Sequence, residues 1–319
     1  MDREFFYFCV MTKEIRSWIL LLLLACIWGS SFILMKKGMF TTNGEHIFSS
    51  SQVGSLRMLL ASAVLLPFAI QHLRKINSMR RFISLATVGF CGNFVPAFLF
   101  TYAETGLSSG LTGMLNSTTP IFTILIGFII FNVRISSIQI IGISIGTVGV
   151  VLLMLAGKQL SLTGTWYHIL AIVLATFMYG ISLNTIKHKL HDMRSVEITS
   201  LAFVILFIPA IISSFYFGAF DTLNTNEHAW NGLGFILILS VVGTALAVFV
   251  FNFVISYSSA LFASTVTYFI PIVAVLIGVS FGEVIGWTEI GAMAIVLGGV
   301  FTANYLPYFL QKKRGKAII

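Results

Sequence analysis

From residue 17 to residue 309 the sequence is a succession of apolar runs about twenty residues long, joined by short polar connections. A helix needs about 20 apolar residues to cross a bilayer. Only helices and closed barrels satisfy every backbone polar group inside one. The runs fall at 17–35, 53–70, 82–102, 111–131, 137–156, 167–186, 196–217, 233–254, 261–281 and 290–309. They use nearly all of the 319 residues and leave no room for a soluble domain. Charged residues make up 9% of the chain, against about 25% in an average soluble domain. This pattern predicts an all-α polytopic membrane protein with ten transmembrane helices.

The net charge of +8 does not point to nucleic acid, because of where the cations lie. Fifteen Lys and Arg residues sit at the termini and in the even-numbered connections, and three (Lys36, Lys37, Lys158) on the opposite side. That opposite side carries Glu45, Glu104, Asp221, Glu227, Glu283 and Glu289. Cytoplasmic loops are the ones rich in Lys and Arg, so both termini are expected in the cytoplasm of a cell that holds the protein in its inner or plasma membrane. Lys13 and Arg16 before the first run resemble a signal peptide, but no A-x-A cleavage pattern follows and a retained span is expected. Residues 1–10 differ in character from the rest, and a start at Met11 is one reading of them.

The fourth run holds the sharpest anomaly. The stretch 108–120, SSGLTGMLNSTTP, places Asn116, Ser117, Thr118, Thr119 and Pro120 together at membrane depth. Proline removes a backbone donor and frees a carbonyl one turn back, and each unsatisfied polar group there costs several kcal/mol. The device recurs at 258–271, SSALFASTVTYFIP. With an offset near 150, Trp28-Gly29 and Lys36 fall on Tyr179-Gly180 and Lys187, and Pro120 falls within a residue of Pro271. Five runs per half is an odd number, so the second half must enter the membrane upside down. The expected domains are a cytoplasmic segment 1–16, a first five-helix repeat 17–156, an inverted second repeat 164–310 and a basic cytoplasmic tail 311–319.

Candidate functional residues follow from polarity at membrane depth. Asn93, Asn116, Asn184 and Asn252 are amides inside apolar runs, suited to interhelical hydrogen bonds or to solute. Trp28, Tyr179 and Tyr268 offer aromatic walls for a cavity or close packing. Thr119 adds a hydroxyl, and Pro120 and Pro271 read as hinges. Arg57 is a cation inside the second run; it snorkels, pairs with Glu104 or another acid, or anchors an anion. Glu104 and Glu283 are the candidates for charge coupling. Gly142, Gly146, Gly149, Gly291, Gly298 and Gly299 read as small-residue stripes for close packing, with the fifth and tenth runs as scaffold and as a face for a homodimer. No H-E-x-x-H, P-loop or acidic pair at membrane depth occurs, and Cys9, Cys26 and Cys91 have no metal spacing. No enzyme activity, cofactor or metal is expected.

These residues resemble the drug/metabolite transporter superfamily, and within it the EamA-type transporters. The resemblance rests on Trp28-Gly29-Ser30-Ser31-Phe32, on Arg57, on a proline in the fourth and ninth runs, and on Phe281-Gly282-Glu283 before a Gly-rich run. It covers about 17–309. The first half departs from it, since Phe131-Asn132-Val133-Arg134 lacks both the glycine and the glutamate. The resemblance implies a secondary transporter working by alternating access, with the fourth and eighth runs (hence Asn116 and Asn252) lining its cavity. Export of small metabolites, amino acids or related amphipathic compounds is what it implies. The rival readings are a nucleotide-sugar or phosphate-ester exchanger, and a receptor or assembly protein without transport. The expected partners are a small solute and the lipid bilayer.

Overall fold

The computed structural model describes residues 3–156, 165–248, 250–251, 254 and 266–313, the side chains at 3–14, 154, 156, 165 and 308–313 excepted. Among the described residues there is no β-strand, only an isolated bridge between Phe40 and His46. The helices are α1 (Arg3–Met39), α2 (Ser50–His72), α3 (Met79–Gly89), α4 (Val95–Ala103), α5 (Ser109–Asn116), α6 (Thr119–Phe131) and α7 (Ser137–Ala156). Then come α8 (Thr165–Lys189), α9 (Ser195–Tyr216), the short α10 (Ala219–Thr225), α11 (Ala229–Ser240), α12 (Val266–Ser280) and α13 (Trp287–Lys313). Eight stretches among the described residues are long and apolar enough to cross a membrane. Two shorter apolar helices, Ser137–Leu153 and Val266–Ser280, lie where the fifth and ninth runs were expected. Each stands next to a segment outside the described residues.

Polar side chains at the helix ends take up backbone groups that the helices themselves leave unpaired. Ser49 and Gln52 form a capping box on α2, Ser78 caps α3 and Ser108 caps α5. The ends of α6 and α12 are matched: Asn132 (φ 54°) and Gly282 (φ 86°) both turn the chain through the left-handed region. Asparagine therefore does in the first half what glycine does in the second, and Val133 takes the place of Glu283.

One apolar core runs through both halves, from Leu24, Phe32 and Phe100 to Ile172, Ala274 and Val296. Glycines set the closest approaches. Gly29 of α1 lies against Val273 and Ala274 of α12, and Gly180 of α8 lies against Phe122 and Thr123 of α6. These are the same contact in repeat-related positions with the halves exchanged. The most extensive pair, α7 with α13, crosses where Gly142 meets Ala303, Gly146 meets Gly299 and Gly149 meets Val296. The expected stripe is thus spent inside the chain, and it is narrower than the sequence reading had it. Gly291 and Gly298 face open space. Gly299→Ala is expected to lower the melting temperature of the detergent-solubilised protein, at an overpacking cost of about 1–3 kcal/mol, whereas Gly298→Ala leaves it level or raises it. Equal effects at the two positions would refute the assignment.

Candidate functional site

The break in the fourth run is real, and its polar residues have work of their own. Helix α5 ends at Asn116 and α6 begins at Thr119, with Ser117 and Thr118 in the turn between. Pro120 has no N–H for the Asn116 carbonyl, and the Thr119 hydroxyl donates to that oxygen instead (2.8 Å). Ser117 Oγ donates to Met114 O (2.5 Å) and Thr118 Oγ1 to Leu115 O (2.8 Å), with Thr176 Oγ1 of α8 at 3.1 Å from Thr118 Oγ1. The Thr119 hydroxyl thus satisfies the one carbonyl that Pro120 deprives of an N–H, while the Ser117 and Thr118 hydroxyls add to the Met114 and Leu115 carbonyls, which also accept from the Ser117 and Thr118 N–H groups (both 3.1 Å). Asn116 Oδ1 is what remains, buried and without a hydrogen-bond partner among the described residues. Pro271, by contrast, lies inside the continuous helix α12, so no matching break occurs among the described residues.

At the end of the bundle that carries the acids, three helices are tied by one carboxylate. Glu283, just past the Gly282 turn, accepts from the N–H groups of Ser109 (2.8 Å) and Gly110 (3.1 Å) at the start of α5. It also accepts from Lys36 Nζ of α1 (3.1 Å). Free N–H groups at a helix start favour an anion. Burial pushes the Glu283 carboxyl upward, but the Ser109 and Gly110 N–H groups and Lys36 outweigh that and hold it below the usual carboxylate range. Glu104 lies beside this latch, 1% exposed, with Oε2 accepting from Ser109 Oγ (3.0 Å) and Oε1 unpartnered. Burial pushes Glu104 up to about 8; Lys36 and hydrogen bonds from Ser109 and Thr112 oppose this, and Glu283 adds to it. A vestibule of ≈ 1680 Å³ opens at this end, and Lys36, Glu104 and Glu283 line it. Arg57, Asn116 and Tyr179 are not among its walls.

The repeat-related helices also share a device with no sequence signal. A π-helical turn, Phe90–Phe94, joins α3 to α4, and another, Val241–Leu246, follows α11. Gly92 lies against Ser182 of α8 and Gly243 against Ser31 of α1. Such turns misalign backbone bonds and cluster at functional sites. The Trp28 Nε1–H donates to the Gly243 carbonyl (3.1 Å), and its ring lies 5.5 Å from that of Phe251. Asn93 lies in the first π turn, half-buried. Asn184 donates to Thr123 O (2.8 Å) and Gly180 O (2.9 Å), an interhelical bond at the Gly180 contact. Lys36, Ser31 and Ser182 were not singled out as site residues, although the match of Lys36 to Lys187 marked one of them.

The other candidates divide. Tyr179 stacks on Phe100 (5.9 Å), which meets Phe32 (6.0 Å), and it stands close enough to Arg57 to interact electrostatically. Arg57 makes no ion pair among the described residues; Glu104 is engaged at the latch instead, so that pairing is corrected. Tyr268 points elsewhere: its hydroxyl donates to Val300 O of α13 (3.2 Å) and its ring meets Tyr305 (5.8 Å). Asn252 lies outside the described residues. No group of three or more His, Cys, Asp or Glu able to hold a metal occurs among the described residues. The letters G-x-S-x-G do occur, at Gly142 to Gly146, but inside helix α7 rather than at a strand-to-helix turn. There Ser144 is exposed and donates to Ile140 O (3.0 Å).

Apolar helices packed through glycines, with polar groups gathered at a latch and along the bundle interior, mark a multi-pass membrane protein. The model of the EamA-like transporter family matches the chain twice, at residues 16–155 and 166–305, and the chain belongs to that family. An uncharacterised inner membrane transporter of Escherichia coli (strain K12), YedA, is 23% identical over 88% of this chain and 89% of its own length. An uncharacterised transporter of Archaeoglobus fulgidus is 24% identical over 90% of this chain and 98% of its own length. A probable amino-acid metabolite efflux pump of E. coli (strain K12) is 20% identical over 73% of this chain and 86% of its own length. One crystal structure superimposes with a TM-score of 0.57 at 12% identity, covering 91% of this chain and 98% of that one, a likeness of fold alone.

The Glu104 carboxyl gives this arrangement a pH dependence of stated sign. Because its folded value is raised, its contribution is full below the ordinary carboxylate range and is lost as pH rises through about 8. Melting temperatures of the purified protein between roughly pH 5 and 9 are expected to fall across that window. Glu104→Gln, which keeps the shape and stays neutral, is expected to flatten the fall; an unchanged slope would place the pH dependence elsewhere.

Proposed function

We propose that this protein is a secondary transporter that exports small metabolites, amino acids or related amphipathic compounds by alternating access. On this reading ten transmembrane helices form two inverted five-helix repeats. Both termini lie in the cytoplasm, and the acidic end faces outward. The observation that supports it most is a symmetric pair of contacts held by an asymmetric lock. The contact of Gly29 with α12 is repeated by that of Gly180 with α6. Yet the carboxylate that ties α12 to α5 and α1 at the acidic end has only Val133 in its place at the other. Two equivalent seams with unequal locks let one open while the other stays shut. The vestibule is lined by Lys36, Glu104 and Glu283, and the unpartnered Asn116 and the aromatic row Phe32–Phe100–Tyr179 are not among its walls. The efflux name of one relative supports the outward direction.

Proteoliposomes loaded with an amino-acid and metabolite panel test this. Solute-specific counterflow is expected, and Asn116→Ala is expected to reduce it about tenfold without shifting the melting temperature, the effect of one lost hydrogen bond to solute. A folded protein that moves nothing across a broad panel would overturn the reading in favour of a receptor or assembly role.

A further inference from the structure

Among the described residues, Arg57 is the one cation inside a membrane span with no countercharge of its own. Its Nε is buried and has no hydrogen-bond partner among the described residues, and Nη1 meets the soft thioether of Met35 at 3.7 Å. No residue with a described side chain supplies the missing charge. Of the eleven acids, Asp2, Glu4 and Glu14 belong to the N-terminal segment. The other eight all stand at helix ends or in connections. Glu283 is held by Lys36, Asp192 by Arg81, Glu197 by Lys75, and Glu45 and Glu227 face His228. Glu104 accepts from Ser109 and Glu289 from the Gly286 N–H. Asp221 is exposed in the first turn of α10. The segments outside the described residues, other than the N-terminus, contain no Asp or Glu.

A guanidinium is always charged and presents five donors in a planar fork that fits a carboxylate with two parallel bonds. Burying such a group unpaired costs several kcal/mol. Tyr179 is near enough to interact with Arg57 electrostatically, and an aromatic row leads away from Tyr179, with Phe100 stacked on it and Phe32 meeting Phe100. We propose that Arg57, with Tyr179 beside it, is the anchor for the carboxylate of the transported solute, whose apolar part lies along Tyr179, Phe100 and Phe32. The inference rests on the transport reading for the word "transported" and on the charge inventory for the word "carboxylate". It narrows the solute to monocarboxylates with an apolar or aromatic body. It disfavours phosphate esters, which would ask for more than one buried cation.

The test uses the full chain in detergent with paired probes of one shape, phenylacetate and phenylacetamide. Phenylacetate is expected to raise the melting temperature and phenylacetamide to leave it unchanged. Arg57→Gln is expected to weaken phenylacetate binding roughly ten- to a hundredfold, the loss of a charge-assisted pair. Without ligand the same variant is expected to melt at or above the wild-type temperature, because an uncompensated charge has been removed. Arg57→Lys, which keeps the charge but not the fork, is expected to bind with intermediate affinity. Equal stabilisation by acid and amide, or an unaltered response in Arg57→Gln, would overturn the proposal. So would loss of the fold in both variants, since that would make Arg57 a structural member. Binding of phenylacetate without flux in proteoliposomes would leave the anion site standing and sink the transport reading. Flux indifferent to charge and to Arg57→Gln would do the reverse.

Discussion

Inside a bilayer a carbonyl without a donor has no water to turn to, and this constraint decides how the fourth span can be interrupted. Pro120 takes away one donor, and the Thr119 hydroxyl replaces it within the same turn. The Ser117 and Thr118 hydroxyls add a second donor to the Met114 and Leu115 carbonyls, which already accept from the Ser117 and Thr118 N–H groups. The break therefore holds its shape without an outside partner, which lets α5 and α6 be positioned separately. Helix α5 is free to present its N–H groups to Glu283 at one end, while α6 carries the Gly180 contact further along. A continuous helix would fix these two contacts to each other. The interruption uncouples them.

The two halves reuse one packing geometry but not one chemistry. Gly29 and Gly180, Gly92 and Gly243, and Ser31 and Ser182 occupy matching contacts. Backbone approach of this kind depends on small residues, and association in lipid comes from such packing rather than from a hydrophobic drive. Charge breaks the symmetry. Beyond the left-handed turn at Gly282 comes a glutamate bonded to Lys36, Ser109 and Gly110, and beyond the same turn at Asn132 comes Val133. The acidic end is thus bound by charge-assisted hydrogen bonds and the other lacks that carboxylate.

The succession of apolar helices, the repeat and the packing glycines of α7 were legible because they are statements about hydropathy, spacing and side-chain size. Helix boundaries moved by a few residues where caps decide them, as at Ser49 and Ser78. The candidate site was legible only as a list of polar residues at depth, since a sequence does not say which partner a hydroxyl chooses. Thr119 serves backbone, Tyr268 serves α13, and Asn116 keeps an oxygen to spare. The π turns left no mark, because a single misaligned backbone turn needs no particular residue. Gly298 and Gly299 differ only in which way each faces, a distinction of helical phase that adjacent letters cannot carry.

The placement of charge separates what stabilises the bundle from what burdens it. Every acid with a described side chain lies at a helix end or in a connection, and most are spent on a cation, a hydroxyl or an N–H group. Arg57 alone has its charge inside a span and its fork incompletely bonded. A chain that merely needed to fill that position would do better with an apolar residue of similar volume, since even a paired buried charge breaks about even with one. On the anchor reading, an interior cation with no partner burdens the empty protein until an anion arrives from outside. The cost it imposes on the empty protein is then returned when the site is filled, and an empty carrier is thereby the less stable of its two forms.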